Sequence, residues 1–188
     1  MKHEWWLWKS ELSNEVIDGI IERCEALPVE DSVIGGYGIG DGINDHSVRK
    51  SEVRWANKDY ELREIIWEYV NVANKNAFGF DITNKFDIQF TTYNGEDKSY
   101  YTWHTDNNWL SEGYYDRKIS LVIQLSDPTN YEGGKFEFDT NGEIISPEGF
   151  DKKGSIIAFP SFMKHRVNFI TKGTRRSLVA WIEGPSFR

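Results

Sequence analysis

The chain is 188 residues long, with 30 acidic and 22 basic side chains and a formal charge of -8. That length suits a single domain, and the charge argues against a nucleic-acid partner, because proteins that track a phosphate backbone gather Lys and Arg into a stripe. Hydrophobic residues at 39% allow a packed core, and an aromatic share of 15%, with 8 Trp, tilts the fold toward β structure.

In chain order, the first amphipathic pattern is Leu12, Val16, Ile17, Ile20, Ile21, Cys24 and Leu27. These recur at helical spacing, with Ser13 as a cap and Pro28 just past the end. Residues 35–42, rich in glycine, read as a mobile surface loop, since no Lys-Ser/Thr follows as a phosphate loop requires. A second helix is expected over Leu62, Ile65, Ile66, Tyr69, Val70 and Ala73, after Asp59 and before Gly79. From about residue 85 the texture changes to short runs rich in Val, Ile, Phe, Tyr and Thr: 86–93, 99–105, 118–125, 134–138, 143–146, 154–159, 163–169 and 175–182. Turn pairs such as Asn94-Gly95, Asn141-Gly142 and Lys172-Gly173 interrupt them. About eight strands at this spacing predict a sandwich or jelly roll. The expected class is α+β: one domain over 1–188, with a helical support region and loop at 1–84 packed on one sheet of a core at 85–188.

Cys24 is the single cysteine, so no internal disulfide can form, which fits a reducing compartment. The acidic residue within Met-Lys-His-Glu-Trp-Trp argues against a secretory leader. No stretch approaches the roughly 20 apolar residues of a membrane helix. A cytoplasmic location is therefore expected.

His104-Thr105-Asp106 places an imidazole and a carboxylate at i and i+2, on one face of a strand. Alone the pair says little, since a chain with 4 His and 30 acids produces such matches by chance. His165 opens a later strand, 61 residues on. Two His and one carboxylate with coordination positions left free make the facial triad of Fe(II) oxygenases; a structural zinc site would want a fourth ligand. His3 and His46 show no matching pattern. Arg175 follows His165 by ten residues and shares its strand face with Ser177, Val179 and Trp181. The last two strands are expected to form a hairpin across Lys172-Gly173, returning Arg175 to the metal. A buried guanidinium needs a partner, and its planar fork suits a carboxylate. Arg176 faces the other way and reads as a solvated arginine.

Together, Tyr93-x7-Tyr101-x2-His104-x-Asp106, Leu125-Ser126-Asp127-Pro128-x2-Tyr131-x-Gly133-Gly134-x-Phe136, His165-Arg166-Val167 and Gly173-Thr174-Arg175 resemble the prolyl/lysyl hydroxylase branch of the Fe(II)/2-oxoglutarate-dependent dioxygenases, prolyl 4-hydroxylase-like and of bacterial or phage type. The resemblance covers residues 89–182. It implies a double-stranded β-helix, with His104, Asp106 and His165 as iron ligands and catalytic centre. It also implies Fe(II), 2-oxoglutarate and O2 as cofactor and co-substrates, with ascorbate as an accessory reductant, and Arg175 on the distal carboxylate of 2-oxoglutarate. Arg175 stands where prolyl 4-hydroxylases carry Lys, which loosens the assignment of substrate. Tyr93 and Tyr101 match tyrosines near the co-substrate; cross-strand aromatic packing is the alternative reading, stronger for Tyr101 than for Tyr93. Arg49, Trp109 and Trp181 are candidates for substrate contact, Arg49 because its stretch resembles one at the active-site mouth.

The expected activity is hydroxylation of a peptidyl proline in a peptide or protein partner, by a monomer or homodimer. A free amino acid or other small molecule as substrate is the alternative within the same chemistry. Nucleic-acid dealkylation is disfavoured by the charge. From another class, a non-enzymatic jelly roll could bind carbohydrate through its tryptophans, but it leaves the two His, the Asp and the Arg without a purpose.

Overall fold

A computed structural model describes residues 1–31, 47–107 and 114–187. In chain order its elements are β1 (Trp6–Trp8), α1 (Asn14–Glu25), β2 (Glu30–Asp31), β3 (Arg49–Lys50), β4 (Glu52–Trp55) and α2 (Tyr60–Ala73), followed by a π-helical turn at Asn74–Phe78. Then come β5 (Phe86–Asn94), β6 (Tyr100–His104), β7 (Tyr115–Gln124), β8 (Tyr131–Gly133), β9 (Phe136–Thr140), β10 (Glu143–Ile145), β11 (Ile156–Pro160), β12 (His165–Val167) and β13 (Ile170–Pro185).

Two sheets face each other. The larger runs β1-β11-β7-β13-β5-β4-β2, with β8 also paired to β13; the smaller runs β10-β9-β12-β6-β3. This is the jelly roll expected from the strand spacing, in the double-stranded β-helix form that the family resemblance implies. Strand alternation divides its residues cleanly. Phe86, Ile88 and Phe90 of β5, Ile119, Leu121 and Ile123 of β7, and Leu178, Ala180 and Ile182 of β13 share one apolar cluster with the helices. The alternate residues, among them Gln89, Thr91, Ser120, Val122, Arg175 and Ser177, are also buried but face the space between the sheets.

Both helices lie on the outer face of the larger sheet. Ser13 caps α1 by accepting from the Val16 amide, and Asp59 caps α2 by accepting from Leu62, each cap worth about 1 kcal/mol. The i, i+4 series Leu62, Ile66, Val70 of α2 is fully buried, and each such side chain contributes about 1.5–3 kcal/mol on burial. Gly79 ends the π turn with its N–H donating to Asn74 O and a left-handed φ of 70°, a conformation glycine adopts without steric cost.

Two features differ from the sequence reading. First, β1 to β4 arise in the stretch expected to hold only helices and a loop. They have 3, 2, 2 and 4 residues, too short for a two-residue period to show, and they form because the edges of β11, β5 and β6 offer pairing partners. Second, β12 and β13 are not a hairpin. β12 pairs with β6 and β9 in the smaller sheet, and β13 pairs with β5, β7 and β8. Lys172-Gly173 is an irregular point within β13, where Gly173 has φ 68° and a Cβ would meet the carbonyl of Asn130. The glycine loop at 35–42 and His46 lie outside the described residues.

Candidate active site

His165 and His104 are register partners on the adjacent antiparallel strands β12 and β6. Directly opposed residues hold their Cβ atoms about 4.5–5.5 Å apart, and here the imidazole centroids are 4.2 Å apart. Asp106, two residues past His104, brings Oδ1 to 3.5 Å from His104 Nε2 and Oδ2 to 3.5 Å from His165 Nε2. Each ring is turned by its other nitrogen: His104 Nδ1 lies 2.8 Å from Thr102 O, and His165 Nδ1 lies 2.8 Å from Met163 O. A carbonyl can only accept, so both Nδ1 atoms carry the proton and both Nε2 lone pairs point toward the shared centre.

Phe159 and Phe138 pack on the His165 ring, with centroids at 4.8 and 6.3 Å, and Tyr101 stacks on His104 at 3.5 Å. Burial pushes His165 down to about 4, the neighbouring His104 acts in the same direction, and Asp106 opposes them. The ring is therefore neutral at pH 7 and able to ligate. For Asp106, burial alone would favour the protonated acid; positive charge on His165 and His104 and the Ser120 hydroxyl act the other way and hold the carboxyl below the usual range. The Ser120 bond is the one that persists while both imidazoles are neutral.

The sequence reading missed the hydroxyls that hold this carboxylate. Ser120 Oγ donates to Asp106 Oδ2 at 2.6 Å, and Ser161 Oγ stands 2.9 Å behind it. Ser120 has one proton and gives it to the carboxylate, so Ser161 is the donor in the second bond. The backbone adds a clamp, with the Asp106 amide donating to Ser161 O at 2.8 Å. The available signal was Ser120 within the otherwise apolar run Ile119-Ser120-Leu121-Val122. A polar side chain on the inner face of a buried strand needs a partner.

Arg175 enters from the facing sheet, not from a hairpin. It is 2% exposed and pairs across β5 with Tyr93; its Cζ is 5.6 Å from the Tyr93 ring, and Nη1 donates to Ser177 Oγ at 3.4 Å. No carboxylate lies within ion-pair distance of it among the described residues. Arg176 faces outward, as its alternate position requires, and pairs with Glu25 at 2.7 Å. Arg49, Tyr93, Tyr101, Trp181, Arg175 and the triad line one cavity. Neither the Tyr93 nor the Tyr101 hydroxyl is hydrogen-bonded to a described protein group, which leaves both able to meet a ligand. Trp181 is flanked by Arg117, whose Cζ is 4.2 Å from the ring, and by Trp55 at 6.1 Å. Burial pushes Arg117 down to about 9, with Glu183 opposing. Trp109 lies outside the described residues. Beyond Arg175 and Phe136, which line both, a second cavity of about 430 Å³ opens to the surface and contains none of the triad.

The donor set fits a divalent iron. Two imidazole nitrogens and one carboxylate oxygen lie within 4.8 Å of one another, the only such group among the described residues. Three protein ligands leave positions free for a chelating co-substrate and dioxygen. Among the described residues no helix is long and apolar enough to cross a membrane.

Known proteins share both the sequence pattern and the fold. A PKHD-type hydroxylase of Synechococcus sp. is 36% identical over 130 residues, which cover 68% of this chain and 57% of that protein. One from Thermosynechococcus vestitus is 40% identical over 86 residues, 44% of this chain and 37% of that protein. The chain thus spans less than two thirds of the length of either relative. Among solved structures, a Pseudomonas putida prolyl-4-hydroxylase superposes with a TM-score of 0.73 at 16% identity, covering 98% of this chain and 94% of that one. A Trichoplax adhaerens prolyl hydroxylase, solved with a hypoxia inducible factor peptide fragment, gives 0.74 at 13% identity, covering 95% and 83%. At those identities the likeness speaks for the fold. The sequence profile of one family matches residues 88–183, just over half of the chain, and with it the protein belongs to the 2OG-Fe(II) oxygenase superfamily.

Proposed function

We propose that this protein is an Fe(II)- and 2-oxoglutarate-dependent hydroxylase whose substrate is a proline within a peptide or protein. The observation that carries the reading is the pairing of an open His-Asp-His triad with a buried arginine that has no counter-charge among the described residues, both in one cavity. In this reading His104, Asp106 and His165 hold the metal and Arg175 holds the far carboxylate of 2-oxoglutarate. The names of the relatives, hydroxylases of PKHD and prolyl type, support the substrate class.

Iron and the keto acid, once bound with dioxygen, supply oxidative decarboxylation to succinate and carbon dioxide, with transfer of the second oxygen atom to a substrate C–H bond. The protein's own part is placement. Thr102 O and Met163 O set the tautomer of each histidine, and the Ser161–Ser120 hydroxyl pair fixes the carboxylate plane of Asp106. Arg175 meets the co-substrate with a planar pair of donors, while Tyr93 and Tyr101 offer phenol hydroxyls beside it. Val122, Val179 and Phe136 line the cavity between the sheets and keep it dry, which strengthens each of those polar contacts. Arg49 and Trp181 are assigned to the substrate end. We further place the protein in the cytoplasm, where its buried Cys24 would stay reduced.

The test is to incubate the protein with Fe(II), 2-oxoglutarate, ascorbate and proline peptides, following succinate and peptide mass together. Peptide oxidation matched one to one by succinate is expected, and Asp106→Ala should abolish both. Succinate-coupled oxidation that survives in Asp106→Ala contradicts the assignment of the triad.

A further inference from the structure

Two buried arginines line this cavity, and one co-substrate explains only one of them. Arg49 is 4% exposed. Its Nε donates to Ser51 Oγ at 2.8 Å, and one Nη donates to Gln89 Oε1 at 2.6 Å and Thr91 Oγ1 at 3.3 Å. Its Cζ sits 4.7 Å from the Tyr101 ring centroid. Every one of these partners is neutral, and no Asp or Glu lies within ion-pair distance of Arg49 among the described residues. An enclosed cation without a counter-charge is costly.

The position of Arg49 separates it from the co-substrate anchor. Arg175 is level with Tyr93 on β5, whereas Thr91 and Gln89 are level with Ser177 and Val179. Arg49 therefore contacts the strand about 7 to 13 Å from the Arg175 level, at 3.3 Å per residue, in the direction of Trp181. Charge counting gives the same answer. Fe(II), the Asp106 carboxylate, dianionic 2-oxoglutarate and the Arg175 guanidinium sum to zero, and Arg117 already faces Glu183. Among the described residues, Arg49 is left as an uncompensated cation in the loaded site.

We infer that Arg49 is a carboxylate receptor for the organic substrate, so that the site selects a proline that carries, or adjoins, a free carboxylate. This rests on the 2-oxoglutarate hydroxylase reading above and narrows its substrate class. The carboxylate has two sources, the proline's own α-carboxylate or an acidic neighbouring side chain. In either case Nε and one Nη of Arg49 are held by Ser51, Gln89 and Thr91, so the other Nη donates to the carboxylate while Trp181 walls the same end.

Binding under anaerobic conditions tests this without turnover. The protein is loaded with Fe(II) and 2-oxoglutarate, and its metal-to-ligand absorption band is recorded. It is then titrated with two matched pairs: N-acetyl-proline against its amide, and N-acetyl-Glu-Pro-amide against the Gln analogue. In the parent, the carboxylate member of at least one pair should bind about tenfold or more tighter than its neutral twin, as a charge-assisted hydrogen bond commonly provides. Which pair shows the gap identifies the source of the carboxylate. Arg49→Gln should close the gap to within about twofold while the band and the affinity for 2-oxoglutarate stay as in the parent. Arg49→Lys, which keeps charge and volume, should retain part of it. No preference in either pair, or a gap that persists in Arg49→Gln, overturns the inference while the band still supports the hydroxylase reading. Absence of the band in the parent would instead overturn that reading.

Discussion

Ser120→Ala removes a single hydroxyl that touches neither the metal position nor the cavity. Its proton is 2.6 Å, oxygen to oxygen, from Asp106 Oδ2, in a fully buried setting. Short hydrogen bonds to an ionised acceptor are the strong class, worth about 1.5–3 kcal/mol each. The alanine variant leaves Asp106 free to rotate out of the plane that faces both Nε2 atoms, and it strips Ser161 Oγ of its acceptor. Loss of such an outer partner typically weakens metal binding by about 10–100-fold, which corresponds to about 1.4–2.7 kcal/mol and agrees with the hydrogen-bond figure. Anaerobic titration with Mn(II) as an iron surrogate, read by the magnetic resonance of the free ion, measures it directly. Thermal melting of the metal-free protein serves as the control for folding. Ser161→Ala, one bond further out, should show a smaller loss in the same direction. If Ser120→Ala binds metal within about twofold of the parent, the hydroxyl pair does not position Asp106 and this part of the account is wrong.

Replacing Arg175 by Gln should weaken 2-oxoglutarate by about 10–100-fold in an equilibrium titration, and Lys should recover only part of it, since a point charge cannot offer the paired donors. Gly173→Ala should destabilise the fold by about 1–3 kcal/mol from its left-handed φ alone, and by more from the contact with Asn130 O; urea unfolding reads the change. Burial pushes the Cys24 thiol up to about 12, so at pH 8 about one thiol in ten thousand is ionised. A disulfide reagent should modify the folded protein about a thousandfold more slowly than the unfolded chain, with the rate still rising through pH 10. Rapid labelling at pH 8 without unfolding would refute the burial of this helix face.

The part of the site legible in the sequence was the part governed by strand alternation. Arg175 and Arg176 separate because adjacent strand residues face opposite ways. His104 and Asp106 do converge, but β6 ends at His104 and Asp106 lies in the bend beyond it, held by its amide bond to Ser161 O rather than by strand alternation. Both helices were readable from periodicity, with Ser13 capping α1 as the sequence suggested, while Asp59, read only as the boundary before the second pattern, caps α2. What stayed hidden depended on pairing between distant strands. The chain from His165 to Arg175 suggested a hairpin, yet the two strands join opposite sheets, and Arg175 reaches the cavity across the gap between them. Arg49 seemed a residue of the mouth, and only the pairing of β3 with β6 shows it buried against Gln89 and Thr91. Ser120 and Ser161, 41 residues apart, meet only because β11 pairs with β7. No local pattern encodes that meeting.

The account stands most directly on one spectrum. Fe(II) and 2-oxoglutarate, added without oxygen, should produce a visible metal-to-ligand charge-transfer band that His104→Ala lacks and that Arg175→Gln recovers only at raised 2-oxoglutarate. A folded parent protein with iron bound and no band would mean that the keto acid does not chelate at this triad, and the central claim would fail.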